Sequence, residues 1–162
     1  MIKATLQIFS GALLVVLSLA LVNVFIDARK RAELPEGWQI ISPPKDTSSI
    51  LIVGGKVWTG GRDGLVVLNG ATRRPEPLPA GLQALRMVRA IETDTTGAIW
   101  IAHDLGVTRQ TPDSWQVLTT EMLTLTGPAM SLLADPDGEM VIGGMGGAVT
   151  WRAGLITSVP LP

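Results

Sequence analysis

Asp94-Thr95-Thr96-Gly97-Ala98-Ile99-Trp100-Ile101-Ala102 is the stretch on which the fold turns. Side chains alternate between the two faces of a strand. From Ala98 onward, Ile99 and Ile101 therefore share one face, and Ala98, Trp100 and Ala102 share the other. Both faces are apolar. A sheet with one wet face would alternate apolar with polar residues, so this strand is expected to be covered on both sides. The residues ahead of it are turn chemistry: Asp94 can bond backbone amides two or more residues on, and Gly97 accepts positive φ.

The same pattern occurs three times, at a spacing of about forty residues. Gly55-Lys56-Val57-Trp58 is followed by Gly64, Gly97-Ala98-Ile99-Trp100 by Gly106, and Gly138-Glu139-Met140-Val141 by Gly147. A repeat of this length, built from short apolar runs and glycine turns, predicts propeller blades stacked face to face. Small residues such as Gly60, Ala102 and Gly143 would allow close approach near the axis.

The first repeat, Ser49 to Leu78, has strands expected at Ile50–Val53, Val57–Thr59 and Leu65–Leu68, with Gly54-Gly55 and Gly60-Gly61 as turns. The second, Met87 to Thr120, has four: Val88–Thr93, Ala98–Ala102, Val107–Gln110 and Trp115–Thr119. The third, Ala129 to Pro162, offers Met130–Ala134, Glu139–Ile142, Ala148–Trp151 and Leu155–Val159. Trp38-Gln39-Ile40-Ile41-Ser42 has the pattern of Trp115–Thr119 and reads as a stray outer strand, ended by Pro43-Pro44. No extended amphipathic helix is expected after Ile26, given eleven prolines and eighteen glycines.

The segments Asp94–Ala102 and Asp135-Pro136-Asp137-Gly138-Glu139-Met140-Val141-Ile142-Gly143 resemble the two-component regulator propeller repeat, as do the steps Gly64-Leu65, Gly106-Val107 and Gly147-Ala148. The resemblance runs from about Trp38 to the C-terminus. It departs from the repeat in the first copy, where Ile52 stands at the aspartate position, and in the third, where Val141 replaces Trp. Such repeats imply large propellers in the outward-facing sensor regions of bacterial hybrid histidine kinases. Propellers close with about 4–8 blades, so some three blades form a partial propeller whose open edges invite pairing. Copies of the chain completing a ring, a larger complex covering the sides, and a compact sandwich of the three sheets are all compatible with the pattern.

Ahead of the repeats, Ala4 to Ile26 carries no charged residue. At about 1.5 Å per residue it is long enough to cross a hydrocarbon core of roughly 30 Å. It explains the positive mean hydropathy of +0.36. The run is too long for a signal-peptide core and Lys3 is a thin basic region, which favours a retained span over cleavage at the small residues ending at Ala28. Gln7, Gly11 and Ser18 fall near one helical face, a mark of contact with another helix. Arg29, Lys30 and Arg31 sit at the expected lipid headgroups and place the C-terminal domain on the cytoplasmic side. The expected organisation is a helix with basic flank at 1–31, a tether and stray strand at 32–48, and a three-blade domain at 49–162.

Candidate chemistry is sparse. A net charge of −1 gives no reason to expect nucleic acid. The absence of cysteine excludes disulfides and thiolate chemistry, and one histidine makes zinc or haem a poor fit. Asp135, Asp137 and Glu139 could suggest calcium, but they lack the downstream ligands of an EF-hand and read as a turn. His103-Asp104 lacks a nucleophile or second partner and reads as surface loop. Gly143 to Gly147 lacks the strand-to-helix setting of a phosphate loop and reads as a blade turn. Trp58 and Trp100 are expected in the core, whereas Trp38 and Trp115, on outer strands, are the candidates for partner contact.

The sequence thus predicts an all-β domain of about three four-stranded blades behind a single transmembrane helix. No catalytic, cofactor or metal site is expected, and the partners are the lipid bilayer and other membrane subunits or further copies of the chain. The first functional reading is a non-enzymatic accessory or scaffold subunit of a membrane complex. The alternative is a membrane-anchored sensor or ligand-binding module.

Overall fold

The computed structural model describes residues 16–26, 28–29, 35–38 and 44–159. It divides into two compact units, Met1–Ser42 and Pro43–Pro162. In the first, residues 16–26 form helix α1, and all eleven of its side chains are exposed. Among the described residues no helix is long and apolar enough to cross a membrane. Ala4, Gln7 and Gly11 of the expected span, Lys30 and Arg31 of its basic flank, and Gln39 to Ser42 of the expected stray strand lie outside the described residues.

The second unit is all-β. Blade 1 contains β1 (Ser49–Val53), β2 (Lys56–Gly61), β3 (Gly64–Asn69) and β4 (Pro75–Glu76); blade 2 contains β5 (Ala90–Thr93), β6 (Ile99–His103), β7 (Gly106–Gln110) and β8 (Trp115–Thr119); blade 3 contains β9 (Ala129–Ala134), β10 (Met140–Gly144), β11 (Gly147–Arg152) and β12 (Leu155–Val159). Each is a four-stranded antiparallel meander in chain order. Blade 1 has its own fourth strand, which the sequence reading missed: β4 pairs only Val67 with Glu76 and Leu68 with Pro75.

The sheets meet near their first strands, β5 packing on β1 and β2 on one side and on β9 on the other, with β6 also touching β9. Close approach there requires small residues. A Cβ at Gly60 would lie 2.3 Å from Val88 Cγ1. Ser49 Oγ accepts the Ile91 amide of the next blade at 2.9 Å, and Val88 N–H donates to Gly61 O at 3.0 Å.

The two apolar faces of β6 each have cover. Ile99 and Ile101 join Trp58, Val67, Leu82, Leu85 and Val88 in a core between blades 1 and 2. Trp100 and Ala102 join Leu118, Leu123, Met140, Ile142 and Val149 between blades 2 and 3. Leu82, Leu85 and Leu123 come from the connections between blades, which carry no periodic signal.

The repeat's turn residues now have a physical role. Asp94 Oδ1 accepts from Thr96 N–H (2.9 Å), Ala98 N–H (3.0 Å) and the Thr96 hydroxyl, while Oδ2 accepts Trp100 Nε1–H at 2.9 Å. The aspartate ties the turn to the indole of the following strand. Blade 3 keeps the turn, Asp135 Oδ1 accepting Asp137 N–H at 2.8 Å, but has no indole to hold. In blade 1 the hairpin is one residue shorter, Val53 pairing with Lys56 across Gly54-Gly55. Both glycines have positive φ, 57° and 71°, as the tight hairpin requires. Val53, rather than the Ile52 given by linear spacing, therefore takes the aspartate's place. Trp58 Nε1 is accordingly buried without an acceptor.

Candidate functional site

The β7–β8 hairpin is closed by a turn in which Thr111 N–H donates to Ser114 O (2.8 Å) and Ser114 N–H to Thr111 Oγ1 (3.1 Å). This fixes the strand that carries Trp115. The indole of Trp115 packs on Trp58 of blade 1, ring centroids 6.0 Å apart and tilted by 50°. Because Trp115 pairs with Gln110, these side chains share the face that looks back toward blade 1. There they line a groove of about 490 Å³ with Thr108, Ser114, Val117 and the Pro79–Gly81 link. That volume lies within the range of small-molecule sites.

Thr108 also accounts for His103. The imidazole is 1% exposed at the end of β6 rather than on a surface loop, which corrects the sequence expectation. β6 runs one residue further than its apolar pattern. Nδ1 accepts Leu105 N–H at 3.3 Å, so Nε2 carries the proton and donates to Thr108 Oγ1 at 2.9 Å. Burial pushes its pKa below the ordinary 6.5, with Arg89 acting in the same direction, against partial opposition from Asp104. Both ring nitrogens are engaged within blade 2.

The second aromatic pair lies between blades 2 and 3. Trp100 and Trp151 meet edge to face at 4.9 Å, and the Arg109 guanidinium carbon lies 5.2 Å from the first ring and 4.4 Å from the second. Burial raises the Asp94 pKa, but the hydrogen bonds from Thr96, Trp100 and the amides of Ala98 and Thr96 outweigh it and leave the carboxyl below its ordinary value.

Of the residues singled out from sequence, Trp58 and Trp100 are buried, and Trp115 is half-buried in the groove. Trp38 is 71% exposed. Ser18 and Ile26 lie in α1, and Arg29 lies in the helical pair 28–29. Asp135 and Glu139 turn to different partners, the latter to Arg152 at 3.4 Å, and among the described residues no cluster of three potential metal ligands forms. Gly143 and Gly144 end β10 and Gly147 begins β11, with Met145 and Gly146 as the turn between them. Arg109 was missed; its signal was a basic residue in a register that carries Val67 and Thr150 in the other blades.

No protein-family profile and no curated protein matches the chain. Solved structures do resemble it. Two crystal structures of the extracellular domain of BT4673 from B. thetaiotaomicron, one described as a one component system and the other as a hybrid two component system, superpose with TM-scores of 0.58 and 0.59. Both are 19% identical and cover 72% and 78% of this chain, which spans 18% of each. Virginiamycin B lyase from Staphylococcus aureus superposes with a TM-score of 0.52 at 17% identity, covering 72% of this chain and 42% of its own. At these identities the likeness is one of fold, a propeller-like stack of blades.

Proposed function

We propose that this chain is a membrane-anchored, propeller-like binding module of a sensory system, with the Trp115 groove as its ligand site. The observation that carries this reading is the groove itself. The β7–β8 hairpin holds an aromatic platform beside polar groups from Gln110 and Ser114, in a volume of about 490 Å³. The BT4673 domains, described as parts of one or two component systems, support it by their fold. The uncharged run from Ala4 to Ile26 and the exposed apolar side chains of α1 support the anchor. Arg29, Lys30 and Arg31 favour the cytoplasmic side, whereas the BT4673 domains are extracellular. We follow the charges, and protease accessibility in oriented vesicles tests the choice.

The module acts by binding rather than by catalysis. His103, the only histidine, has both ring nitrogens engaged inside blade 2, and the Thr108 hydroxyl it meets is itself buried. Titration of the full chain in mild detergent with a panel of small polar metabolites, read by tryptophan fluorescence, should give saturable binding. Trp115→Ala should weaken it at least tenfold, consistent with loss of an aromatic platform. A panel without any saturable response would count against the assignment.

The accessory-subunit reading keeps one specific support. Ile50 and Ile52 point away from blade 2 on β1 and are 62% and 74% exposed, an apolar face of the kind that partners cover. A stable lone monomer after mild extraction from native membranes would argue against that role.

A further inference from the structure

The register that sets Trp100 opposite Arg109 sets Trp58 opposite Val67 in blade 1 and Val141 opposite Thr150 in blade 3. Val67 is buried in the core between blades 1 and 2. Blade 2 therefore puts a cation on the face where blade 1 has an aliphatic core residue. The two indoles hold the guanidinium by cation–π attraction, but among the described residues no carboxylate pairs with it. Within the β-domain, the Lys/Arg ion pairs among the described residues are Lys56–Glu76, Arg62–Asp46 and Arg152–Glu139.

Nearby acids are occupied elsewhere. Asp94 accepts from Thr96, Ala98 and Trp100, and Glu92 Oε1 accepts Thr93 N–H at 2.9 Å. Arg109 Nε is buried without an acceptor. That N–H is closed off from solvent, so a ligand in a neighbouring pocket meets the terminal Nη groups of the guanidinium instead. Arg109 also lines a pocket of about 350 Å³ with Thr96, Gly97, Ala98, Gln110 and Thr111. Gln110 Oε1 is taken by Ile99 N–H at 3.3 Å.

We propose that this pocket binds a small organic monocarboxylate whose carboxylate pairs with the Arg109 guanidinium. A planar guanidinium matches a carboxylate in shape and donor geometry. Arg109 is the only charged residue among those lining the pocket, so the match is to one negative charge rather than to a phosphate dianion. The remaining walls are neutral and small, which suits a compact acid. The site shares Gln110, Thr111 and Pro112 with the Trp115 groove, but Arg109 lines only this pocket and Trp115 only the groove, and the proposal stands whether or not that groove has a ligand.

The test is a titration of the ¹⁵N-labelled full chain in detergent with benzoate, following the arginine Nε–Hε signals and tryptophan fluorescence. Benzamide serves as the neutral isostere and chloride matches ionic strength. Benzoate should shift one Nε–Hε signal saturably, benzamide and chloride should not, and Arg109→Lys should weaken binding at least tenfold. Trp115→Ala should leave benzoate binding unchanged, which separates this site from the groove. No saturable shift in the parent chain, an equal response to benzamide, or undiminished binding by Arg109→Lys would each overturn the proposal.

Discussion

Replacing Asp94 with alanine removes the acceptor for a turn and for an indole at once. Trp100 is fully buried, so its Nε1–H, now bonded to Asp94 at 2.9 Å, would be left without a partner. An orphaned buried donor costs about 1–3 kcal/mol. The turn amides of Thr96 and Ala98 lie nearer solvent and can be rehydrated, and losing their charge-assisted bonds adds about 1 kcal/mol. The expected total is about 2–4 kcal/mol. At roughly 4 °C per kcal/mol for a domain of this size, Tm should fall by about 8–16 °C. Asp135→Ala is the internal control. It breaks the matching turn, where the carboxylate holds Asp137 N–H but no indole, and should cost only about 0.5–1 kcal/mol. Urea unfolding of the full chain in detergent, followed by tryptophan fluorescence, measures both. Equal losses for the two variants, or an Asp94→Ala chain within about 0.5 kcal/mol of the parent, would refute the idea that the indole bond holds the blade.

Other consequences can be checked on the same preparation. Gly106 has φ of 132° and a Cβ there would sit 2.1 Å from Leu118 O, whereas Gly147, at φ 143°, has open space around it. Gly106→Ala should therefore cost several kcal/mol, and Gly147→Ala only the backbone strain of about 1–3 kcal/mol, by denaturant midpoints. Leu123, fully buried in the link between blades 2 and 3, should cost about 2–5 kcal/mol as alanine, by the same measurement. Because burial lowers the His103 pKa, the unfolded chain binds that proton more readily than the folded one. Stability from this group should be complete above its ordinary 6.5 and fall as pH drops from there toward the folded value. Denaturation at pH 7 and 5 should show that slope in the parent and lose it in His103→Gln. The Asp94 contribution, with a depressed carboxyl, should be lost in a separate window below its ordinary 3.8.

The blades were legible because strand periodicity and turn chemistry agree. Trp115–Thr119 and Leu155–Val159 form strands with the bounds their patterns predict, and the two-faced apolar run around Trp100 is covered on both sides. The misses share a cause: they depend on contacts between segments. β4 is two residues long and begins at a proline, so it has no period to read. Leu82, Leu85 and Leu123 sit in irregular links and are buried only because blades close over them. His103 reads as loop because it follows an apolar run, yet Thr108 across the hairpin supplies its polar partner. The groove depends on the Pro79–Gly81 link folding over Trp115, and the Arg109 pocket on Trp151 arriving from another blade.

Contact between blades only through their neighbours has a further consequence. Blade 2 is the one sheet packed on both faces, by Trp58 and its surroundings on one side and by Met140 and Ile142 on the other. Stability in such a stack behaves like a row of coupled units, in which an end unit can open while the middle stays closed. Opening the middle unit breaks two interfaces together. The amides of β6 should thus be the last in the β-domain to exchange with solvent, and both aromatic pairs lie against the unit that opens least.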